Sequence, residues 1–124
     1  MLTFDEIAEI LDEVAEEVPQ EFYENLNGGI SLLPEVKFHE ADVAGNLYTL
    51  GEYHKDQMGR YIVIYYGSFV RSYPGYTREQ AHAELLRILL HEFTHHMESQ
   101  AGERGLEYKD AERIAEYKRD WEDD

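Results

Sequence analysis

The chain has 124 residues, of which 43% are hydrophobic and 13% aromatic, a composition typical of a single globular domain over residues 1–124. Its 27 acidic residues outnumber 11 basic ones, and the net charge of −16 disfavours nucleic acid and anionic membranes as partners. The lack of cysteine excludes disulfides and thiolate metal sites. No basic leader with an apolar block and no run of about 18 apolar residues is present, so we expect a cytoplasmic protein.

The first segment of the chain predicts an amphipathic helix. Thr3 and Glu6 have the spacing of a capping box, in which each side chain binds a backbone amide of the other residue. The apolar residues behind them recur at intervals of three and four and form one stripe, which consists of Phe4, Ile7, Leu11, Val14 and Val18. Pro19 is expected to end this helix, because proline cannot continue the ladder of backbone hydrogen bonds.

The middle of the chain changes to the two-residue period of β-strands. Val36 and Phe38 alternate with polar residues and indicate one strand. Residues 47–54 form a second candidate strand, and residues 61–66 form a third. The connection over residues 55–59 has the length of a hairpin turn and ends in glycine. We therefore expect the second and third strands to pair antiparallel.

A long helix is predicted in the second half of the chain. After a loop over residues 72–76, Thr77 and Gln80 repeat the capping-box spacing and begin a helix that runs to about Gln100. The centre of this helix is apolar on nearly every side, so it should cross the core.

The end of the long helix and the remaining chain complete the predicted fold. Gly102 and Gly105 are expected to end the helix, and a last helix is predicted over residues 107–121. These elements predict an α+β fold. It contains a small antiparallel or mixed sheet, an N-terminal helix, the long helix and a C-terminal helix.

The long helix contains the pattern His-Glu-x-x-His, whose defined positions are His91, Glu92 and His95. Residues four apart lie on one helix face with Cβ atoms roughly 5–6 Å apart, so both imidazoles can bind one zinc ion. Glu92 is offset from the pair and can act as a general base toward water on the metal. The pattern therefore predicts a catalytic Zn²⁺ site with His91 and His95 as ligands.

A catalytic zinc ion usually has three protein ligands and one open position. Ala101 occupies the position where compact zinc motifs carry a third histidine. Asp110 interrupts an apolar stripe of the last predicted helix, which contains Leu106, Ile114, Tyr117 and Trp121. A buried carboxylate needs a partner, so Asp110 is the favoured third ligand and Glu107 is the alternative.

Several other residues have weaker patterns. His96 is expected to be a partly buried histidine with satisfied hydrogen bonds, and substrate contact is the alternative. Three histidines without a partner spacing are expected at the surface: His39, His54 and His82. Zinc peptidases often need an oxyanion donor, and Tyr65 and Tyr66 are candidates because their strand is expected near the cleft.

Three segments together resemble the minimal zincins, small bacterial proteins of the zincin-like metallopeptidase superfamily. The segments are residues 50–53, 61–66 and 89–96, and the resemblance covers roughly residues 45–115. The doubled histidine after the His-Glu pair makes the match more specific. The resemblance implies a zincin-like fold, with His91 and His95 as ligands and Glu92 as general base. It also implies that a strand beside the cleft aligns an extended peptide.

Three functions fit these residues. The first is a zinc-dependent metallopeptidase that acts on a peptide or an unfolded protein segment. The alternatives are a non-catalytic zinc-containing binding module and a zinc amidohydrolase that acts on a small non-peptide substrate. Glu92 favours an enzyme, because a structural zinc site has no use for a base between its histidines.

Overall fold

Three helices and a three-stranded sheet form the structure, a computed structural model that describes residues 1–40 and 47–104. The arrangement is α+β, as the sequence predicts. The helices are α1 (Phe4–Glu17), α2 (Tyr66–Ser72) and α3 (Arg78–Arg104), and the strands are β1 (Gly29–Leu33), β2 (Gly51–Asp56) and β3 (Gly59–Tyr65). A short 3-10 turn over Gln20–Tyr23 follows α1. The predicted last helix over residues 107–121 lies outside the described residues.

Helix α1 begins and ends where the sequence predicts. Thr3 Oγ1 accepts a hydrogen bond from the Glu6 amide at 3.2 Å, and the Glu6 carboxylate accepts one from the Thr3 amide at 3.1 Å. Val18 leaves the helical conformation, with φ −73° and ψ 132°, because Pro19 disfavours a helical residue before it. The buried face of the helix consists of Ile7, Ile10, Leu11 and Val14.

The sheet is mixed and has the order β1-β3-β2. β1 runs parallel to β3, and β2 runs antiparallel to it, which confirms the predicted hairpin. The Asp56 carboxylate accepts a hydrogen bond from the Met58 amide at 2.7 Å. Gly59 has a φ of +109°, a conformation that a residue with a side chain rarely adopts. These two features close the hairpin between β2 and β3.

Three elements differ from the sequence-based predictions. The strand predicted at Val36 and Phe38 is reduced to a single bridge between Phe38 and Tyr48, and Pro34 precedes it. The second partner of β3 is β1, a strand that the two-residue period does not reveal because most of its residues are half-buried on both faces. Helix α2 also replaces the end of the third predicted strand and the start of the predicted loop.

Helix α3 crosses the core as predicted and packs against α1 and the sheet. A second capping box begins it, since the Gln80 amide donates to Thr77 Oγ1 at 3.2 Å. Seven of its apolar residues are buried: Ala81, Leu85, Leu86, Ile88, Leu89, Leu90 and Phe93. Within residues 1–40 and 47–104, no helix combines the length and the apolar character needed to cross a membrane.

Of the two glycines predicted to end the long helix, Gly102 does not, because α3 continues through it to Arg104, and Gly105 lies outside the described residues. Gly102 is exposed, and a Cβ atom added there would meet nothing within 4 Å. Intrinsic propensity disfavours glycine within a helix by roughly 1 kcal/mol relative to alanine. The packing of the six preceding turns of α3 stabilises the helical conformation at Gly102.

We expect Gly102→Ala to raise the free energy of unfolding by about 0.5–1 kcal/mol, because alanine loses less backbone entropy in a helix. Urea denaturation measures the change. Gly59→Ala is the opposite control, since its φ is +109° and its Cβ would lie 2.7 Å from the Asn27 side chain. A Gly102→Ala variant that is less stable than wild type would contradict the helical position of this residue.

Candidate metal centre

A cleft with a volume of about 1090 Å³ contains the His-Glu-x-x-His residues. One wall is the face of α3 that carries His91, Glu92 and His95. The facing wall is β2, from Gly51 to Lys55. Residues 37–40 and 48–50 line the rest of the cleft. The folded chain therefore brings the sequence-predicted residues beside an edge of the sheet.

The imidazoles of His91 and His95 converge on the cleft. Their Nε2 atoms lie 3.2 Å apart, and the two rings are perpendicular with centroids 4.7 Å apart. Both residues are exposed, although they follow the buried core of α3. Two nitrogen ligands of a tetrahedral zinc ion, each about 2.0–2.1 Å from the metal, lie about 3.3 Å apart. The separation therefore suits a shared metal ion as well as a direct hydrogen bond.

Glu92 differs from its two histidine neighbours in being buried. Its exposed fraction is 6%, yet it lines the cleft. In the described part of the chain, no buried side-chain nitrogen or oxygen lacks a hydrogen-bond partner, and Glu92 itself has an interaction partner. A held carboxylate next to the imidazole pair can accept and return a proton.

The third ligand predicted from the sequence, Asp110, lies outside the described residues, as does its alternative Glu107. Within the described residues, no group of three histidine, aspartate or glutamate side chains is suited to a metal ion. Glu52, an acid in the cleft wall, is held by other partners. It receives hydrogen bonds from Lys37 Nζ at 2.6 Å and from the Tyr65 hydroxyl at 2.5 Å.

The electrostatics of Glu52 agree with this arrangement. Burial alone would raise the pKa of the Glu52 carboxyl, but hydrogen bonds from Lys37, Tyr65 and His54 lower its pKa below the ordinary value. Lys37 is held in its charged form, and its pKa is raised by the hydrogen bond to Glu52. Glu52 therefore stays ionised as a structural anion of the strand.

The outer edge of β2 faces away from β3. Hydrogen-bonded and non-hydrogen-bonded pairs alternate along an antiparallel ladder. The Tyr65 amide donates to the Leu50 carbonyl at 3.0 Å, which makes Leu50 and Tyr65 a hydrogen-bonded pair. Alternation then directs the backbone groups of Gly51 and Tyr53 outward, where both residues line the cleft.

Gly51 allows β2 to lie close to α3. A Cβ atom at this position would lie 3.0 Å from Ile88 Cγ2 and 3.1 Å from Ile64 Cδ1. Ile88 lies on α3 three residues before His91, almost one helical turn away. A side chain at position 51 would therefore separate the strand from the helix that carries the imidazoles.

His96 is a buried histidine with satisfied hydrogen bonds, as the sequence predicts, but its burial is complete at 0% exposure. Its Nδ1 lies 2.9 Å from the Tyr53 hydroxyl, and its Nε2 lies 2.8 Å from the Glu24 carbonyl oxygen. Burial lowers the pKa of His96. The neutral ring therefore links α3 to β2 and to the segment after α1.

The remaining candidates have structural partners. His39 is exposed as predicted; His54 stacks on Tyr61, and His82 contacts Glu17. The Tyr65 hydroxyl donates to Glu52, and the Tyr66 hydroxyl donates to the Leu2 carbonyl at 2.7 Å. Neither tyrosine lines the cleft, so the suggested oxyanion role finds no support. Tyr48 and Tyr53 do line it, although no sequence pattern marks them.

We expect Gly51→Ala to lower the free energy of unfolding by about 1–3 kcal/mol, because the new methyl group overpacks the contact between β2 and α3. Gly75→Ala is the matched control, since a Cβ there meets nothing within 4 Å. Urea denaturation of both variants measures the difference. Equal stability of the Gly51→Ala and Gly75→Ala variants would contradict the close approach.

Both the sequence and the fold can be compared with those of known proteins. No protein-family model and no curated protein matches the sequence. The fold is similar to the solved structure of a conserved hypothetical protein from Thermus thermophilus, with a TM-score of 0.67. The sequences are 34% identical, and the match covers 82% of this chain and 99% of that one. The chain therefore belongs to the same family as this Thermus thermophilus protein.

Proposed function

We propose that the protein is a zinc-dependent metallopeptidase of zincin-like fold that hydrolyses peptide bonds in the cytoplasm. The observation that carries the proposal is the 3.2 Å separation of the His91 and His95 Nε2 atoms beside the buried Glu92. A mixed sheet with an antiparallel edge strand next to the histidine-bearing helix supports the zincin-like assignment.

The donor set fits zinc. Neutral imidazole nitrogens are common zinc ligands, and the chain has no thiolate that would favour another site. His91 and His95 would hold the ion, with Asp110 as the proposed third ligand and Glu107 as its alternative. When bound, zinc supplies Lewis acidity that lowers the pKa of water and polarises a carbonyl oxygen.

Glu92 is the proposed general base. Its carboxylate accepts the proton of the attacking water and passes it to the leaving amine nitrogen. Its 6% exposure keeps bulk water from competing for that proton. The same burial argues against a purely structural zinc site, which needs the two histidines but no carboxylate between them.

The outward backbone groups of Gly51 and Tyr53 favour an extended peptide as substrate. An extended segment can add to a sheet edge through main-chain hydrogen bonds and requires no particular side chains for this contact. The cleft lies along β2 beside the imidazole pair, so an added strand would carry its carbonyl groups past them. We therefore propose peptides or unfolded protein segments as substrates, rather than nucleic acid or membranes.

Metal content tests the site directly. We expect the purified protein to bind about one zinc ion per chain and the His91→Ala and His95→Ala variants to lose most of it. His82→Ala is the control, because His82 contacts Glu17 away from the cleft and should keep its zinc. Loss of zinc in Asp110→Ala identifies the third ligand, whereas retention assigns that position to Glu107 or to a water molecule. A wild type that binds no added zinc overturns the proposal.

Peptidase activity tests whether Glu92 acts as the general base. We expect Glu92→Gln to keep its zinc and to lose about 10²–10⁴-fold in kcat, because the amide cannot accept the proton. The assay compares an unfolded protein with a panel of small acyl amides. Turnover of the amides alone would replace the peptidase with a zinc amidohydrolase. Zinc-loaded wild type without turnover of either class would point to a binding module.

A further inference from the structure

We propose that Tyr53 and His96 form a positioning unit that fixes the peptide-binding edge of β2 relative to the imidazole pair on α3. The proposal rests on the function inferred above, and it concerns residues that bind neither the metal nor the reacting atoms. His96 follows His95 directly in the sequence, and Tyr53 lies on the strand across the cleft.

The contacts of His96 determine where its proton lies. The Glu24 carbonyl can only accept a hydrogen bond, so Nε2 of His96 must be the donor at 2.8 Å. With the proton on Nε2, Nδ1 is the acceptor that the Tyr53 hydroxyl meets at 2.9 Å, and the ring is fully buried. Nδ1 thus contacts β2, and Nε2 contacts the segment after α1 and also lies 3.1 Å from Gln100 Nε2 on α3.

Tyr53 contributes to the cleft through two separate groups. Its backbone lies on the outer edge of β2, where a peptide would add. Its side chain points toward α3, on the same strand face as Gly51, and its hydroxyl ends on His96. The residue that would bind the peptide backbone is therefore tied to the helix position next to His95.

The hydrogen bond between Tyr53 and His96 restrains β2 against movement along α3, which the neighbouring apolar packing does not do. The contact of Gly51 with Ile88 is apolar, and apolar contacts tolerate small sliding movements. A hydrogen bond weakens steeply when its angle departs from linearity, so it fixes the position of the strand along the helix. One turn further on, Gln100 accepts a hydrogen bond from Asn25 at 2.7 Å, which holds the same part of α3.

Tyr53→Phe tests the unit with the smallest change. Removal of the hydroxyl leaves the edge of β2 able to bind a peptide but frees the strand to shift against α3. We expect kcat on a peptide substrate to fall about 10-fold to 100-fold, because small misplacement of a substrate is enough for such a loss. KM should change by less than about twofold, and zinc content should equal that of wild type.

Tyr66→Phe is the matched control. It removes a comparable half-buried hydroxyl contact, the 2.7 Å hydrogen bond to the Leu2 carbonyl, away from the cleft. We expect this variant to keep the wild-type kcat per zinc-loaded, folded molecule. An equal loss of kcat in both tyrosine variants would overturn the proposal, because it would reflect general loss of stability.

A double-mutant cycle with His96→Gln tests whether the two residues act together. The glutamine amide can still donate to Glu24, but it does not reproduce the ring acceptor. If Tyr53 and His96 form one unit, the double variant loses about as much kcat as either single variant. If the losses of kcat in the two single variants multiply in the double variant, Tyr53 and His96 act independently and the proposal is overturned.

Amide hydrogen exchange tests the unit without any enzymatic activity. The backbone amides of Glu52 and His54 pair with β3, and their exchange reports local opening of β2. We expect Tyr53→Phe, but not Tyr66→Phe, to accelerate exchange at these amides at least about fivefold. A wild type without peptidase activity would refute the proposed function, and unchanged exchange in Tyr53→Phe would refute the positioning unit.

Discussion

The contact between Gly51 and Ile88 is the constraint on which the cleft depends. A strand with any larger residue at position 51 would be held away from α3, since an added Cβ atom would lie 3.0 Å from Ile88 Cγ2. With glycine there, β2 lies against the helix almost one turn before His91. The outward backbone groups of the strand then border the same cleft as the imidazoles. Among the residues that the structure describes, the sheet order β1-β3-β2 leaves β2 at the edge.

Helix α3 combines a structural and a chemical face. Its apolar residues, including Leu85, Leu89 and Phe93, are fully buried and fix the helix in the core. The histidines at positions 91 and 95 emerge on the exposed side, so their ring orientation is set by a backbone that has little freedom to move. Rigid elements position functional groups more accurately than loops do. Glu92 lies between these two faces, which explains how a carboxylate can be buried and still line the cleft.

Local patterns predicted the elements whose determinants lie within a few residues of one another. Both capping boxes, the end of α1 at Pro19, the β2–β3 hairpin and the convergence of His91 and His95 are of this kind. The failures have non-local causes. β1 depends on parallel pairing with a strand about thirty residues away, and Gly102 remains helical because of packing along the whole of α3. The pairing of Tyr53 with His96 joins residues 43 positions apart, which no periodicity in one sequence reveals.

The order in which the elements are synthesised determines when the cleft can form. The hydrogen bond between Asn25 and Gln100 joins residues 75 positions apart, and α1 packs mainly on α3. During translation the N-terminal helix and the sheet therefore emerge before the helix that covers them. Distant contacts of this kind slow folding, because a long loop must close before they form. The imidazole pair is also on this last described helix, so a nascent chain cannot assemble the cleft until the scaffold is nearly complete. A chain built in this order has no partly folded intermediate in which the imidazole pair already lies beside the edge of β2.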